Sequence, residues 1–196
     1  LRMEEIRRFG NEPVRFSDHL FWDVLRLCYH IKQVLVDCKN NGENLAGIGI
    51  DTWGVDYGLL DQRGELLANP YHYRDHRIDG MMEECFTIVP EKELFEKTGI
   101  GAARYNTIYQ LLAMEREGDR ALKAADTLLL MPDLLNYMLT GVRAAEYTEA
   151  TTTQLVDWAT GNWSEEILAR MDLPRAVFPD IIQPGQQIAP LRASVV

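Results

Sequence analysis

Residues 51–54, Asp-Thr-Trp-Gly, combine the groups that bind a polyhydroxylated small molecule. Asp51 offers an acceptor for hydroxyl groups, and Thr52 is both a donor and an acceptor. The ring of Trp53 offers a flat apolar surface, and Gly54 lets a ligand approach the backbone closely. The alternative is structural, with Trp53 in the core and Asp51 closing an Asx turn. The residue types alone leave both interpretations open.

A second group of polar residues follows at 72–76. Arg74 could position an oxygen ligand, and Asp75 could orient Arg74 or accept a hydrogen bond from a hydroxyl. The alternative is an internal Arg–Asp pair that pins a loop. His72 and His76 have the i, i+4 spacing that suits a metal on a helix. Because Pro70 and the neighbouring strand pattern disfavour a helix here, we predict no metal site.

Other catalytic patterns are weak or absent. Asp51 and Asp56 could serve as the paired carboxylates of a glycosidase, but their separation around a turn is not predictable. The sequence contains neither GxxxxGK[ST] nor GxGxxG, so no phosphate-cradling loop is visible. Three cysteines without CxxC spacing argue against a disulfide framework and a zinc site, which predicts a reducing, cytoplasmic compartment.

Length and charge restrict the class of protein. The chain has 196 residues, of which 46% are hydrophobic, which suits a globular domain with a sizeable core. A formal net charge of −10 argues against a nucleic-acid partner. No apolar run approaches the roughly 20 residues that cross a bilayer, so we predict no membrane span.

The hydrophobic periodicity predicts the elements that position residues 51–54. A helix begins near Asp23 or Val24 and ends at residues 40–42, Asn-Asn-Gly. Three strands follow as an antiparallel meander, with 51–54 between the first and second of them. These predicted strands are 46–51, 55–60 and 65–68.

The rest of the chain is predicted to be mostly helical. The predicted helices are 78–88, 91–98, one that begins at Asn106 or Thr107, 133–140, and one from Ser164 to Met171. A short buried strand or a linker is expected at 128–131, and residues 1–9 could form another strand although they alternate poorly. Strands and helices in this mixture predict an α/β fold.

Several strings of the sequence resemble one protein family. "GIGIDTWGVDYGLLDQRGELLANPYHYRDHRIDGMM", "NTIYQLLAM", "LLLMPDLLNYMLTG", "EYTEATTTQLVD" and "PGQQIAP" resemble the rhamnulokinases of the FGGY carbohydrate kinase family, in the family's order. The resemblance extends from about residue 1 to residue 191. Asp-Thr-Trp-Gly and Ala-Thr-Thr-Thr-Gln point to rhamnulokinases rather than to xylulose or glycerol kinases.

The resemblance implies a ribonuclease-H-like (actin-like ATPase) domain, with a mixed sheet and flanking helices, incomplete at both ends. Residues 1–196 would be most of the N-terminal, sugar-binding domain of an FGGY kinase. The first strand and the ATP-binding C-terminal domain would be absent. The implied reaction transfers the γ-phosphoryl group of ATP to the 1-hydroxyl of L-rhamnulose, with Mg²⁺ in the complete protein.

The resemblance also implies site residues. The loop that contacts the sugar corresponds to Gly54, Trp53 and Thr52, and the neighbouring pocket positions are Asp51, Arg74, Asp75 and Asn106, with Tyr105 beside the last. The catalytic Asp is expected beyond Val196, so this chain alone is expected to be inactive. Two alternatives stay open: an FGGY kinase for another ketose or polyol, and a non-catalytic sugar-binding remnant.

Overall fold

The computed structural model describes residues 2–195. The strands are β1 (Val14–Phe16), β2 (His19–Phe21), β3 (Tyr57–Leu60), β4 (Thr127–Leu130), β5 (Ala145–Glu146), β6 (Val156–Asp157), β7 (Asn162–Trp163) and β8 (Ile181–Ile182). The α-helices are α1 (Val24–Asn40), α2 (Met81–Ile88), α3 (Glu91–Thr98), α4 (Thr107–Glu117), α5 (Arg120–Ala124), α6 (Met131–Thr140), α7 (Tyr147–Thr151) and α8 (Glu165–Arg170). Two 3₁₀ turns lie at His76–Ile78 and Arg175–Val177.

The strands pair as four separate two-stranded sheets. The pairs β1–β2, β3–β4 and β6–β7 are antiparallel, and β5–β8 is parallel. Every residue of β3 and β4 is buried, so this pair lies at the centre of the molecule. The α/β class and the mixed pairing are as predicted, but the ladders are short and do not join into one continuous sheet within residues 2–195.

Most of the predicted helices are confirmed. Helix α1 begins after Asp23, whose carboxylate accepts a hydrogen bond from the Arg26 backbone N–H at 3.0 Å. Helix α3 has the predicted bounds, and α6 ends at Gly141 with a φ of 87°. The helix predicted at 78–88 begins later, at Met81, because a 3₁₀ turn occupies the preceding residues and Gly80 adopts a left-handed conformation.

Two predicted strands are wrong and one is reduced. No strand forms within residues 2–9, and 46–51 is not a strand. Within the described chain, residues 44–52 make no backbone-to-backbone hydrogen bond, and a strand exists only where a neighbouring chain segment provides that pairing. Among the described residues, the segment 65–68 pairs only at the Leu60–Leu66 bridge, with bonds from the Leu67 N–H to the Leu59 carbonyl and from the Asp61 N–H to the Glu65 carbonyl.

Two apolar clusters meet on either side of the central strand pair. The larger cluster joins α2, α4 and α8 to β3, β4 and β6. The second joins α1 and α6 to the same strand pair, and Trp53 packs against it. Segment 51–56 therefore leads from the surface directly into the core. No helix among the described residues is long and apolar enough to cross a membrane.

Candidate functional site

The backbone makes a strained turn at residues 54–56. The N–H of Asp56 donates to the carbonyl of Gly54 at 3.0 Å, and Val55 between them has a φ of 71°. This combination marks a γ-turn of the rare, strained type, and a β-branched residue at positive φ is an outlier. Neighbouring side chains hold the turn: Thr152 Oγ1 accepts from the Val55 N–H at 3.1 Å, and Thr107 Oγ1 donates to the Val55 carbonyl at 2.7 Å. Strain maintained in this way is characteristic of functional sites.

Asp56 is the last residue of this turn, and its carboxylate is fully buried in the core. It accepts hydrogen bonds from Trp22 Nε1 at 2.5 Å, Trp53 Nε1 at 3.0 Å, Gln110 Nε2 at 3.0 Å and the Tyr73 backbone N–H at 3.3 Å. Burial raises the pKa of Asp56, and these hydrogen bonds act in the opposite direction by favouring the charged form. A single carboxylate therefore fixes two indole rings and the loop that follows.

These contacts build a continuous aromatic wall from Trp53, Trp22, His72, Tyr73 and Tyr105. The ring centroids of Trp22 lie 4.2 Å from those of both Trp53 and His72. His72 stacks on Tyr73 at 4.5 Å, and Tyr105 meets Tyr73 edge-on at 5.9 Å. Tyr105 is 45% exposed, so the wall runs from the core to the surface. Aromatic surfaces bordered by a few polar groups are typical of small-molecule sites.

The structure places the predicted residues 51–54 at one end of this wall. Asp51 is exposed, and the half-buried Thr52 donates from Oγ1 to the Trp53 carbonyl at 3.1 Å. Trp53 combines both interpretations, because it packs on the core and also forms the wall. A Cβ on Gly54 would lie 2.9 Å from Thr152 Cγ2, so packing within the protein already requires glycine here.

Asp75 and Arg74 have different roles from the predicted pair. Asp75 is fully buried, and its carboxylate accepts from the backbone N–H groups of Leu20 at 2.6 Å and Arg77 at 3.1 Å. Burial opposes ionisation, but these bonds and the one with His19 lower the pKa of Asp75. Among the described residues Arg74 does not pair with Asp75; its guanidinium lies over the Tyr73 ring, 4.9 Å from the centroid. Asp75 therefore pins the loop, while the exposed Arg74 borders the wall.

Asn106 lies beneath the wall instead of on its surface. It is 3% exposed, and its amide donates to Gln154 Oε1 at 2.9 Å and to the Gly101 carbonyl at 3.3 Å. The Tyr109 hydroxyl donates to the same Gln154 oxygen at 3.0 Å. This network supports the neighbouring Tyr105, and a direct contact between Asn106 and a sugar stays a prediction.

Three carboxylates form a group whose member Glu149 lies close enough to Asp51 for the two charges to repel each other. Asp133 Oδ1 accepts from the Glu146 backbone N–H at 3.1 Å, and one oxygen of each of Asp133, Glu146 and Glu149 is buried without a hydrogen-bond partner. Burial, with a smaller contribution from the charges of Glu149 and Glu146, raises the pKa of Asp133 to about 8. Burial likewise raises the pKa of Glu149, with added repulsion from Glu146 and Asp51. This side of the site is acidic.

Sequence reasoning missed the residues that assemble the wall. The sequence pattern indicates Asp56 only as a weak glycosidase candidate, although it follows Gly54 within the same string. Trp22 precedes helix α1, and nothing in its local pattern indicates a contact across 34 residues. Gln110 lies on the buried face of α4, where a polar residue in an apolar run is a signal that a buried partner must exist.

Comparison with known proteins identifies the family of this chain. The family described as "FGGY family of carbohydrate kinases, N-terminal domain" matches residues 19–196. The chain is 42% identical over 195 residues to a rhamnulokinase of Bacteroides thetaiotaomicron, covering 100% of this chain and 40% of the relative. It is 44% identical over 188 residues to a rhamnulokinase of Mannheimia succiniciproducens, covering 96% and 39%. The chain thus spans about 40% of the length of these relatives.

Solved structures show the fold independently. The gluconate kinase of Lactobacillus acidophilus superposes with a TM-score of 0.86 at 19% identity, over 96% of this chain and 39% of that one. The xylulose kinase of Rhodospirillum rubrum gives 0.86 at 20% identity, over 94% and 40%. The fold is therefore that of the sugar kinases, the actin-like ATPase fold. The match over residues 19–196 and the shared fold together place the chain in the FGGY family of carbohydrate kinases.

Proposed function

We propose that the protein containing this chain transfers the γ-phosphoryl group of ATP to the 1-hydroxyl of L-rhamnulose, and that this chain supplies the sugar-binding side. The observation that supports this most directly is the 37–44% identity to rhamnulokinases across nearly the whole chain. The solved gluconate and xylulose kinases share the fold at only about half that identity. A ketose is therefore the favoured substrate class, with L-rhamnulose as the specific candidate.

The sugar is proposed to lie against the exposed part of the aromatic wall. Its apolar C–H groups would pack on the rings of Trp53 and Tyr73. Asp51 and Thr52, next to Trp53, would accept hydrogen bonds from hydroxyl groups, while Arg74, which lies over Tyr73, would donate them. The γ-turn fixes the Asp56 carboxylate that holds Trp22 and Trp53, so the aromatic surface is in place without a sugar, which reduces the cost of binding.

We also propose that residues 1–196 form most of the N-terminal domain, and that a further strand and the ATP-binding domain belong to the rest of the protein. The unpaired backbone of residues 44–52 supports this proposal. A cavity of about 750 Å³ borders residues 45–50 and is lined on its other sides by α1, α6 and residues 185–191. This is room for an extended segment to complete the sheet.

We propose that ATP and Mg²⁺ bind mainly to the rest of the protein. The groups whose charges raise the pKa values of Asp133 and Glu149 are all carboxylates, which repel a triphosphate. The residues beside Asp51 therefore do not fit ATP by themselves. When bound, ATP and Mg²⁺ supply the phosphoryl group and neutralise its charge, while this chain would orient the sugar hydroxyl. The general base is proposed to be an Asp beyond Val196.

A cytoplasmic location is part of the same proposal. Cys28, Cys38 and Cys85 are free thiols, which agrees with a reducing compartment. Burial raises the pKa of Cys85 to about 12, so that thiol stays protonated and unreactive.

The test is a coupled ADP-release assay of the complete protein with L-rhamnulose, L-ribulose, L-fuculose and D-xylulose. We expect the highest kcat/KM for L-rhamnulose, and no turnover from the 196-residue chain alone. A higher kcat/KM for another ketose would assign the protein to a different FGGY activity. Absence of turnover with every sugar would favour a non-catalytic sugar-binding protein.

The aromatic wall is tested in the same assay with Arg74→Ala. Arg74 is exposed, so its loss should leave the fold intact and raise KM for the sugar about tenfold, the cost of one good hydrogen bond to a charged group. Arg63→Ala is the matched control, because Arg63 is an exposed arginine on the distant turn at residues 61–64. Equal KM values for the two variants would show that Arg74 does not bind the sugar.

A further inference from the structure

Three metal-ligating side chains converge where β2 meets the loop after Tyr71. The ligand atoms of His19, Asp75 and His76 all lie within 4.8 Å of one another. We propose that these residues form a binding site for a first-row divalent cation of the Zn²⁺, Co²⁺ and Ni²⁺ class. The site is independent of the proposed kinase reaction and of the Mg²⁺ that such a reaction uses.

The His19–Asp75 separation suits tetrahedral coordination, and a small rotation of His76 would complete the set of three ligands. His19 Nδ1 lies 3.0 Å from Asp75 Oδ1, and His76 Nδ1 lies 4.0 Å from Asp75 Oδ2. Zinc bonds of roughly 2.0–2.1 Å at the tetrahedral angle place neighbouring ligand atoms about 3.3 Å apart. The His19 separation is close to that value, whereas the His76 separation, which is measured to the other carboxylate oxygen, is longer. The His76 side chain is 60% exposed, so a small rotation towards the carboxylate meets little resistance.

The carboxylate is already oriented for this role. Asp75 is fully buried, and the backbone N–H groups of Leu20 and Arg77 donate to it at 2.6 and 3.1 Å. The His19 ring packs edge-on against Tyr71 at 5.4 Å and parallel to the His76 ring at 5.2 Å. Outer hydrogen bonds and ring packing of this kind orient metal ligands and strengthen binding.

The ligand set selects the class of cation. Two imidazoles and one carboxylate suit zinc, cobalt and nickel, whereas Mg²⁺ prefers oxygen ligands. A water molecule can complete the tetrahedron, because His76 faces solvent. His72 is not a ligand: it is 3% exposed, and its Nδ1 accepts from the Arg74 N–H at 3.0 Å. The site is therefore different from the His72–His76 pair that sequence spacing suggested.

A bound cation would join two segments that are far apart in the chain. His19 belongs to the β1–β2 hairpin, and Asp75 and His76 belong to the loop that carries Tyr73 of the aromatic wall. Among the described contacts, these segments are already linked by hydrogen bonds from the Trp22 N–H to the Pro70 carbonyl and from the His72 N–H to the Leu20 carbonyl. A metal bond would add a stronger link, so cation binding should stabilise the wall.

The test is a titration of the metal-free 196-residue chain with Co²⁺, which gives visible absorption when imidazole-bound, in the presence of excess Mg²⁺. We expect saturable binding of one Co²⁺ per chain. His76→Ala removes an exposed ligand and should weaken binding by more than the roughly 10–100-fold lost with an outer-shell partner. His30→Ala is the control, because His30 lies on α1 and stacks on Phe9 instead.

A second measurement separates a metal site from a plain His19–Asp75 hydrogen bond. Zn²⁺ should raise the thermal unfolding midpoint of the parent chain and of His30→Ala, but not of His76→Ala. If Co²⁺ gives no saturable signal, or if His76→Ala binds it as tightly as the parent chain does, the proposal is wrong and His19 only donates a hydrogen bond to Asp75.

Discussion

The indole N–H of Trp22 lies 2.5 Å from a carboxylate oxygen of Asp56, although 34 residues separate the two in the chain. The indole N–H of Trp53 donates to the same oxygen at 3.0 Å. Because the carboxylate is fully buried, it has no water as an alternative partner and must take all of its hydrogen bonds from the protein. This shared acceptor makes the aromatic wall a fixed feature of the fold.

Replacing Asp56 by Asn should therefore disrupt the wall. An amide has one acceptor oxygen, and its NH₂ group would face the N–H donors of Trp22, Trp53 or Gln110. We expect a loss of about 2–4 kcal/mol in the free energy of unfolding, the cost of breaking hydrogen bonds to a buried charge. Urea unfolding followed by circular dichroism measures this change.

The control for that experiment is Asp79→Asn. Asp79 is exposed, and among the described residues its carboxylate pairs only with the exposed Arg104, so its replacement should change the free energy of unfolding by less than about 0.5 kcal/mol. Equal unfolding midpoints for Asp56→Asn and Asp79→Asn would show that Asp56 does not hold the wall.

Gly54 should be intolerant of even a methyl group. A Cβ at this position would lie 2.9 Å from Thr152 Cγ2 and 3.0 Å from Thr152 Oγ1. Thr152 cannot move freely, because its Oγ1 accepts from the Val55 N–H. Gly54→Ala should cost about 1–3 kcal/mol of stability through overpacking. Urea unfolding of the variant measures the cost.

A double-mutant cycle identifies the cause of that cost. Thr152→Ser removes Cγ2 and keeps the oxygen, so adding it to Gly54→Ala should recover about 1 kcal/mol. Gly101→Ala is the matched control, since a Cβ there meets no atom within 4 Å. Additive effects of the two substitutions would mean that a clash with Thr152 is not the reason for glycine at residue 54.

The sequence predicted those elements whose signals are local. Helix α1 has a cap at Asp23 and an apolar stripe, and Gly141 ends α6, so both were predicted within a residue or two. Segment 46–51 has a strand-like composition but is not a strand, because pairing depends on a neighbour that local sequence does not describe. Local sequence patterns therefore predicted the helices better than they predicted the pairing of strands.

The candidate site residues stay a prediction, but the structure shows what surrounds them. Trp53 forms part of the aromatic wall, and Arg74 lies over Tyr73 of the same wall. The buried carboxylate of Asp56 and its partner Trp22 were not predicted as parts of the site, because the contact between them depends on tertiary structure. Likewise, the need for glycine at residue 54 comes from contact with Thr152, a residue 98 positions away in the chain.

Asp133 should make the stability of the protein depend on pH. Its folded-state pKa of about 8 lies above the ordinary value of 3.8, so the folded chain binds a proton that the unfolded chain releases. The stability that this proton provides is complete below pH 3.8 and is lost as the pH rises towards 8. Asp133→Asn cannot ionise and should therefore become progressively more stable than the parent chain across this range.

The expected slope for that difference is at most about 1.4 kcal/mol per pH unit, the value for one proton. Free energies of unfolding in urea at several pH values between 5 and 9 measure it, and the difference should level off above pH 8. Glu165→Gln, which changes an exposed carboxylate, should show no such trend. A difference between Asp133→Asn and the parent chain that does not vary with pH would mean that Asp133 is ionised in the folded state throughout.

The unpaired segment 44–52 should make the isolated chain self-associate. Leu45 and Ile48 are 48% and 42% exposed, and the backbone around them makes no backbone-to-backbone hydrogen bond within the described residues. An open apolar edge of this kind pairs with another chain, and a lysine on the edge prevents such pairing. Sedimentation velocity should therefore show association that increases with concentration for the parent chain and is reduced by Ile48→Lys.

Met3→Lys adds the same charge at a residue that is 96% exposed and lies outside the edge, so it should associate like the parent chain. Monomeric behaviour of the parent chain at all concentrations, or an equal reduction by both lysine variants, would mean that this edge is not what brings the chains together.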